Sequence, residues 1–246
     1  MMQFICGYHD IDLRDATGLG HGGGRVHATN TAAAPLPDGS WAVSGTKSWI
    51  RRLDEAAVFC VFFKDPDGRL TAAVIDADAA GLRRRPVTPA GLSGWTRGEL
   101  RLDGVRLRQR DILGRPGKGI ELLREHFAHY RPLVAATALG AAAAACDAVA
   151  ARLEARRKAG FISGPRDNAL ITLGRAYAQI NAATLAALTA QRLSRAGDER
   201  AELWGCAVKA HGVDVANAAA SELALLAGAP GFAADSPLAK ARRDLN

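Results

Sequence analysis

The sequence is poor in cysteine, and its few cysteines stand far apart. Only four of the 246 residues are cysteine, namely Cys6, Cys60, Cys146 and Cys206. They form neither a Cys-x-x-Cys pair nor a Cys/His cluster with the spacing of metal ligands, so the sequence offers no metal site. Each cysteine lies in an apolar segment. We therefore expect buried thiols in a reducing cytoplasm.

Long apolar runs are also missing. The Ala-rich run over residues 132–146 ends at Asp147, so no apolar stretch reaches the roughly 18 residues of a membrane span. Residues 1–6 lack the basic start of a signal peptide and are too short for its apolar core. The sequence predicts a soluble cytoplasmic protein with no membrane partner.

Lysine and aromatic residues are scarce, whereas arginine is abundant. Six Lys stand against 26 Arg, aromatic residues make up 6%, and the net charge is +7. A nucleic-acid platform interleaves aromatic side chains with its cations, and here the arginines are spread along the whole chain. This composition disfavours nucleic acid and favours an anionic small ligand, such as a nucleotide cofactor or CoA.

The first half of the chain is strand-like. Turn signals at Pro37-Asp-Gly39, Pro66-Asp-Gly68 and Asp103-Gly104 separate short apolar segments. These segments cover residues 41–44, 56–63, 70–75 and 98–102. Short strands at this spacing indicate an antiparallel sandwich or barrel.

The second half has helical periodicity. Apolar residues recur at helical spacing from Gly119, and we predict helices over residues 119–158, about 167–195 and about 198–227. Pro132 is expected at a bend or in a first helical turn. The fold class is thus α+β, with a lead-in over residues 1–16, a β-barrel or sandwich domain over 17–116 and an up-down helical bundle over 117–246.

The Ala-rich helix faces predict a further partner. Small side chains at 141–145 and 216–220 permit close helix approach, and three helices of this length cannot cover all their apolar surface alone. We expect a second copy of the chain or the partner chain of a heteromer to pack there.

The segment Gly18-Leu-Gly-His-Gly-Gly-Gly24 is not a nucleotide-binding loop of the Rossmann or Walker type. Such loops follow a strand and open a helix whose N-terminus points at the phosphate, whereas the residues after Gly24 have strand character. A glycine turn is one interpretation.

Residues 39–119 carry two motifs of a known family. Ser44-Gly-Thr-Lys-Ser-Trp-Ile50 resembles Asn-Gly-x-Lys-x-Trp-Ile-Thr, and Ile112-Leu-Gly-Arg-Pro-Gly-Lys-Gly119 resembles the connection out of the β domain, in acyl-CoA dehydrogenases. The resemblance covers residues 17–246 and has no counterpart for that family's N-terminal helical domain. It implies a β domain and a helical bundle with FAD between them, reaching across a subunit interface.

The resemblance assigns five positions to the cofactor. Thr17 and Gly22 match the family's Thr-Glu-Pro-Gly-x-Gly segment, which lies against the flavin and the thioester. Trp49 matches a Trp near the flavin ring, and Arg51 stands where the family has Thr or Ser. Arg157 matches an Arg that reaches the FAD pyrophosphate of a neighbouring subunit.

The resemblance also places Tyr130 and Arg131 at the substrate. Arg131 matches an Arg near the acyl pocket, and in a minority of members the preceding residue is the Glu base, here Tyr130. A phenol is a poor base for a thioester α-proton because it keeps its proton up to about pH 10. The usual glutamate motif would follow Asn246, so the catalytic residue is unknown.

Three functions remain open at this point. The first is a flavoprotein oxidoreductase that acts on the CH–CH group of an acyl-CoA or acyl-carrier thioester. The second is a flavin-free family member that serves as a non-redox catalyst or as the binding subunit of a heteromer. It is favoured by four positions that depart from the family's motifs at cofactor or ligand contacts, namely Gly23, Arg51, Ala159 and Leu225. The third is a flavin monooxygenase on the same fold, which needs no thioester base.

Overall fold

The chain folds into two compact units, residues 1–123 and 124–246. The computed structural model describes residues 29–164 and 167–245, together with the backbone of residues 3–7. Thr17, Gly22, Gly23 and the rest of the glycine-rich segment lie outside these ranges. The first unit is a β-sheet structure and the second is helical, so the predicted α+β class is confirmed.

The strands of the β unit are β1 (Gln3–Gly7), β2 (Ala32–Pro35), β3 (Trp41–Arg51), β4 (Val58–Lys64), β5 (Leu70–Asp76), β6 (Leu82–Pro86) and β7 (Arg97–Leu107). They form a seven-stranded sheet in which β1, β4, β2, β3, β7 and β6 follow one another and β5 pairs with β4. The sheet is mixed, because β1 and β2 run parallel to β4 while the other pairs are antiparallel. The purely antiparallel arrangement predicted from turn signals is thus correct for the hairpins and incomplete for the two N-terminal strands.

Large apolar side chains fill the core of the β unit. Phe59 and Phe63 on β4 and Ile75 on β5 are almost completely buried, and Trp41 meets Phe63 edge to face at 6.2 Å. Alternation along β7 sends Leu100 and Leu102 into the same core. The apolar segments predicted as strands at residues 56–63, 70–75 and 98–102 thus supply this core.

Strand β6 was not predicted, because its sequence Leu-Arg-Arg-Arg-Pro lacks apolar alternation. It pairs with β7 on one side and ends the strand order there. Consecutive arginines and a proline keep such an edge from pairing with another chain. Charge pairs also tie β6 to β7, since the Arg85 Nε lies 2.6 Å from the Glu99 carboxylate.

A buried polar network holds the loop that precedes the helices. The Asp65 carboxylate accepts a 3.0 Å hydrogen bond from the Thr71 hydroxyl, which in turn accepts one of 2.6 Å from the Gly117 backbone N–H. The backbone N–H groups of Asp67 and Arg69 also donate to Asp65. The β4–β5 hairpin therefore fixes where the chain leaves the sheet.

The helical elements agree closely with the periodicity of the sequence. Helix α1 covers Gly119–Lys158, α2 covers Asp167–Arg195, α3 covers Ala201–Ala227 and α4 covers Pro237–Leu245. Short 3₁₀ turns lie at Gln109–Asp111 and Ala229–Phe232. Pro132 lies in the interior of α1 and not in a first turn, so that part of its prediction is wrong; tertiary packing around this buried residue outweighs its poor helix propensity.

Alanine dominates the core of the helical unit. Seven of the 14 residues in its buried cluster are alanine, and α1, α2, α3 and α4 all contribute. Gly212 on α3 faces Ala135 on α1 so closely that an added Cβ would lie 3.0 Å from the Ala135 Cβ. Small residues thus let α1 and α3 approach each other.

By length and composition alone, helix α1 could cross a membrane, and a third of its most apolar 18-residue stretch is buried. The core helix of a soluble protein meets the same criterion, so this one helix is weak evidence for a span.

Candidate functional site

A β-bulge in β3 presents Trp49. Lys47 pairs with Leu100 and Ile50 with Gly98, so three steps along β3 match two along β7. Trp49 takes up the difference with a φ of 57°, and its side chain is 44% exposed between the buried Ser48 and Ile50. A left-handed conformation costs a bulky residue about 1–2 kcal/mol, and such strain is typical of functional positions. The bulge turns an aromatic surface outward.

Arginines follow Trp49 at the end of β3. Arg51 is exposed and pairs with Arg97 of β7, and Arg52 has a φ of 51°. The predicted cofactor residues Trp49 and Arg51 therefore lie on the same short segment, next to a strained turn. This end of the sheet combines an aromatic face with positive charge, which suits an anionic aromatic ligand.

Beneath this segment, Lys47 is completely buried. Its Nζ donates a 2.7 Å hydrogen bond to the Thr29 hydroxyl, and Thr29 and Thr31 are buried with it. Burial of an ammonium group is costly unless it is hydrogen-bonded, and this network supplies such a bond. The buried polar layer supports the strand that carries Trp49.

In the helical unit, Tyr130 stacks on His126 one turn earlier in α1. The ring centroids lie 5.2 Å apart with 19° between the planes. Burial, followed by the nearby His129, lowers the pKa of His126 and favours a neutral imidazole. His126 was not identified from the sequence, although its i, i+4 spacing to Tyr130 is the signal that would have found it.

Contacts with the other helices hold the residues next to Tyr130. His129 Nδ1 lies 2.6 Å from the hydroxyl of the buried Ser194 on α2. The Arg131 guanidinium lies 4.4 Å from the Phe127 ring centroid and 2.9 Å from the sulfur of Cys206 on α3. Tyr130 thus lies in α1 between His129 and Arg131, whose side chains are both held by these contacts.

Arg157 forms an ion pair at the other end of α1. Its Nε and Nη2 donate to the two oxygens of Glu154 at 2.8 and 2.7 Å, and Lys158 lies 3.6 Å from the same carboxylate. The hydrogen bond from Arg157 is the main reason that the pKa of Glu154 falls to about 2. Both side chains are about half exposed, so Arg157 can exchange this carboxylate for another anion.

Arg131 and Arg157 are far apart within one chain. They are 26 positions apart in the continuous helix α1, which corresponds to roughly 40 Å at 1.5 Å per residue. The predicted substrate residue Arg131 and the predicted cofactor residue Arg157 therefore do not lie at one site within a single chain.

The cysteines differ from one another in exposure. Cys60 and Cys146 are buried as expected, and burial raises the pKa of Cys60 to about 12. Cys206 is exposed beside Arg131, which corrects its predicted burial: its helix position faces outward despite the apolar sequence around it. The side chain of Cys6 lies outside the described residues. Across residues 29–164 and 167–245, no three His, Cys, Asp or Glu side chains are grouped so as to hold a metal ion.

A cavity of about 250 Å³ opens in the β unit near the end of β7. Its charged lining comprises Asp76, Arg106, Arg108, Arg110 and Asp111. None of the residues predicted to bind cofactor or substrate lines it. The position of this cavity therefore does not identify the candidate site.

Models of known protein families match most of this chain. The family model described as the acyl-CoA dehydrogenase middle domain matches residues 16–105, and that of the acyl-CoA dehydrogenase C-terminal domain matches residues 117–246, more than half of the chain. The chain belongs to the acyl-CoA dehydrogenase family.

Relatives of this acyl-CoA dehydrogenase family member are longer than the chain. A probable short/branched chain specific acyl-CoA dehydrogenase of Dictyostelium discoideum is 29% identical over 227 residues, covering 90% of this chain and 55% of the relative. Butyryl-CoA dehydrogenase from Megasphaera elsdenii has a TM-score of 0.84 at 22% identity, covering 99% of this chain and 62% of that structure. The chain thus spans less than two thirds of these proteins.

A third similar protein has been solved with a reduced flavin. Glutaryl-CoA dehydrogenase from Mycobacterium smegmatis, in complex with FADH2, has a TM-score of 0.82 at 21% identity, covering 98% of this chain and 60% of that one. The likeness to both solved structures concerns the fold. It matches the order of a β domain followed by helices.

Proposed function

We propose that this chain is a flavoprotein oxidoreductase that acts on the CH–CH group of an acyl thioester, carried by CoA or by an acyl carrier protein. The observation that supports this most is the bulge at Trp49, which exposes an aromatic surface beside Arg51 at the family's flavin position. Family membership and the flavin-containing relative point the same way.

The exposed residues suit FAD. Trp49 offers an indole face for the flavin ring, and Arg51 offers a cation that would stabilise negative charge on it. Thr17 and Gly22 remain proposed cofactor contacts from the sequence alone. When bound, FAD would supply the acceptor for the hydride that leaves the β-carbon of the thioester.

Tyr130 and Arg131 would border the acyl thioester. Arg131, fixed by Phe127 and Cys206, would orient a carbonyl or a phosphate by charge and hydrogen bonding. The Tyr130 hydroxyl would donate a hydrogen bond, and its aromatic ring would exclude water. The base that removes the α-proton is not assigned.

Arg157 would serve the cofactor of a second chain. Arg157 lies roughly 40 Å along α1 from Arg131, the residue proposed at the substrate, and this distance supports a role for Arg157 at a site in a second chain. A homo-oligomer, or a heteromer of related chains, would bring Arg157 of one chain to the pyrophosphate of the other. Glu154 would hold Arg157 until that anion replaces it.

An exposed apolar face on α2 supports such an assembly. Ile171, Ala178, Ala182 and Leu185 fall on one side of the helix and are all exposed, with Leu185 at 66%. Apolar faces of this kind mark interfaces. We place this protein in the cytoplasm, as a soluble assembly without nucleic-acid or membrane partners.

Anaerobic reduction by thioesters tests the reaction. Protein loaded with FAD is mixed with acyl-CoA substrates of different chain length while the flavin absorbance is followed. We expect bleaching by at least one thioester and slower bleaching in Arg131→Gln, with Arg83→Gln, an exposed β6 arginine, as the control. Bound flavin that no thioester bleaches would refute the dehydrogenase and leave the monooxygenase.

The mass of the particle in solution tests the assembly. We expect a homodimer or larger species that Leu185→Gln with Leu188→Gln converts towards monomer, since Leu185 lies on the apolar face and Leu188 is an exposed leucine one turn later on α2. Leu203→Gln, an exposed leucine on α3, is the matched control. A monomeric wild-type chain would contradict the homo-oligomer.

A further inference from the structure

Trp95, just before β7, is flanked by two arginines. Arg52 lies with its guanidinium carbon 5.0 Å from the Trp95 ring centroid, and that of Arg97 lies 5.9 Å from it. We call these three residues the Trp95 cluster. None of them belongs to the residues that the family resemblance assigns to cofactor or substrate.

The indole N–H of Trp95 has no acceptor. Its Nε1 is buried, and within the described part of the chain no oxygen, nitrogen or sulfur accepts a hydrogen bond from it. Buried Trp N–H groups usually find a partner, because leaving such a donor unsatisfied is costly. The structure thus contains a donor that lacks an acceptor.

The groups around this donor are themselves rich in donors and positive charge. Guanidinium groups donate and never accept, and Arg51 adds a third one opposite Arg97 on the sheet. The nearby Glu55 carboxylate is turned to Thr96, whose backbone N–H and hydroxyl donate to its two oxygens at 2.9 and 2.5 Å. The missing acceptor is therefore expected to come from an anion.

Hydrogen bonds on both sides fix the cluster in place. The Thr96 hydroxyl accepts from the Asp54 backbone N–H at 2.9 Å, and the Leu53 N–H donates to the Thr96 carbonyl. The Glu55–Thr96 bonds lower the pKa of Glu55 and keep this carboxylate charged. Because Thr96 lies between Trp95 and Arg97, the same bonds fix the backbone from which both side chains extend.

We propose that the Trp95 cluster binds a compact oxyanion, a carboxylate or a phosphate group, with an oxygen that accepts the Trp95 N–H and charge-assisted hydrogen bonds from Arg52 and Arg97. An oxyanion supplies several acceptor lone pairs and a negative charge in one small group, which a neutral carbonyl does not. This inference goes beyond the proposed oxidoreductase and does not depend on flavin.

The indole N–H resonances of the four tryptophans provide the test. The Trp95 signal is identified by its loss in Trp95→Phe. Flavin-free protein is then titrated with malonate or inorganic phosphate, against sodium chloride of equal ionic strength. We expect a saturable downfield shift of the Trp95 signal with at least one of the two oxyanions. A shift with malonate alone identifies a carboxylate site, and one with phosphate alone identifies a phosphate site.

Charge-neutral variants complete the test. Arg52→Gln or Arg97→Gln should weaken binding at least about tenfold, since each removes a charged donor. Arg83→Gln, an exposed arginine paired with Asp103 on the same sheet, should bind like the wild type. Arg52→Gln alone decides the question if Arg97→Gln does not fold. The proposal is overturned if neither oxyanion gives a saturable shift up to about 50 mM, or if Arg52→Gln binds with wild-type affinity.

Discussion

The two units of this protein bury very different side chains. Two of the 13 buried cluster residues in the β unit are alanine, against seven of 14 in the helical unit. Conversely, the helical unit leaves Leu185, Leu203 and Leu225 at least 66% exposed. The β unit thus has a core of large side chains, whereas the helical unit has an alanine-rich core and leaves several large apolar side chains exposed.

Two spectroscopic probes separate the units. Trp41, Trp49 and Trp95 belong to the β unit and Trp204 to the helical unit, so tryptophan fluorescence mainly follows the first and helical circular dichroism the second. Urea unfolding followed by both probes therefore shows which unit a substitution affects.

The largest effect is expected from a cavity in the β core. Phe63→Ala removes a fully buried ring that packs against Trp41, and we expect a loss of about 3–5 kcal/mol in the free energy of unfolding, seen first by fluorescence. Phe161→Ala removes a ring that is 77% exposed and should change stability by no more than about 0.5 kcal/mol. Equal effects of the two changes would contradict the assignment of the core.

A smaller loss is expected from overpacking the helical core. Gly212→Leu forces a side chain into the contact with Ala135, and we expect α1 and α3 to separate at a cost of about 1–3 kcal/mol, read from circular dichroism. Gly174→Leu is the control, because no atom lies within 4 Å of the Cβ position there. If Gly212→Leu were as stable as the control, close packing through small residues would not hold this unit together.

A hydrogen bond between helices should contribute less to the free energy of unfolding than the close packing at Gly212. The Tyr177 hydroxyl donates to the Asp147 carboxylate and links α2 to α1, and this bond is the first cause that raises the pKa of Tyr177 to about 12. Tyr177→Phe should cost about 1 kcal/mol by helical circular dichroism. Because the raised pKa favours the protonated phenol, this stability is present below pH 10 and is lost towards pH 12. A variant with unchanged stability at pH 8 would show that the bond contributes nothing.

The smallest expected effect is a dependence of the stability of the helical unit on pH. Burial and His129 lower the pKa of His126, so its contribution to stability is present above the ordinary imidazole pKa and is lost as the pH falls through the lowered value. His126→Phe keeps a ring against Tyr130 and removes the titration. We expect the wild type to lose more stability than this variant between neutral pH and pH 5. If the free energy of unfolding fell equally with pH in both proteins, titration of His126 would not contribute to the pH dependence.

Much of the fold was predictable because local periodicity reflects burial. The three long helices begin and end within a few residues of their predicted bounds, and β4 and β5 follow their apolar segments. Strand β6 was missed, since an edge strand needs no apolar alternation and its arginines resemble a loop. The interior position of Pro132 depends on packing that no local pattern expresses.

The candidate site was predictable only in part. Motif likeness identified Trp49, but the bulge that exposes it arises from the register between β3 and β7, which the sequence does not display. The same holds for the contacts of Trp95 with Arg52 and of His129 with Ser194, which join residues more than 40 positions apart. Such pairs appear only once the chain is folded.

The most direct test of the proposed function is whether the chain holds flavin. The purified protein is supplied with FAD, unbound flavin is removed, and the absorbance spectrum of the protein is recorded. We predict stoichiometric bound flavin in the wild type and a smaller amount of bound flavin in Trp49→Ala and in Arg157→Gln. Absence of flavin absorbance from wild-type protein whose two units are folded would contradict the oxidoreductase and favour a flavin-free member of the family.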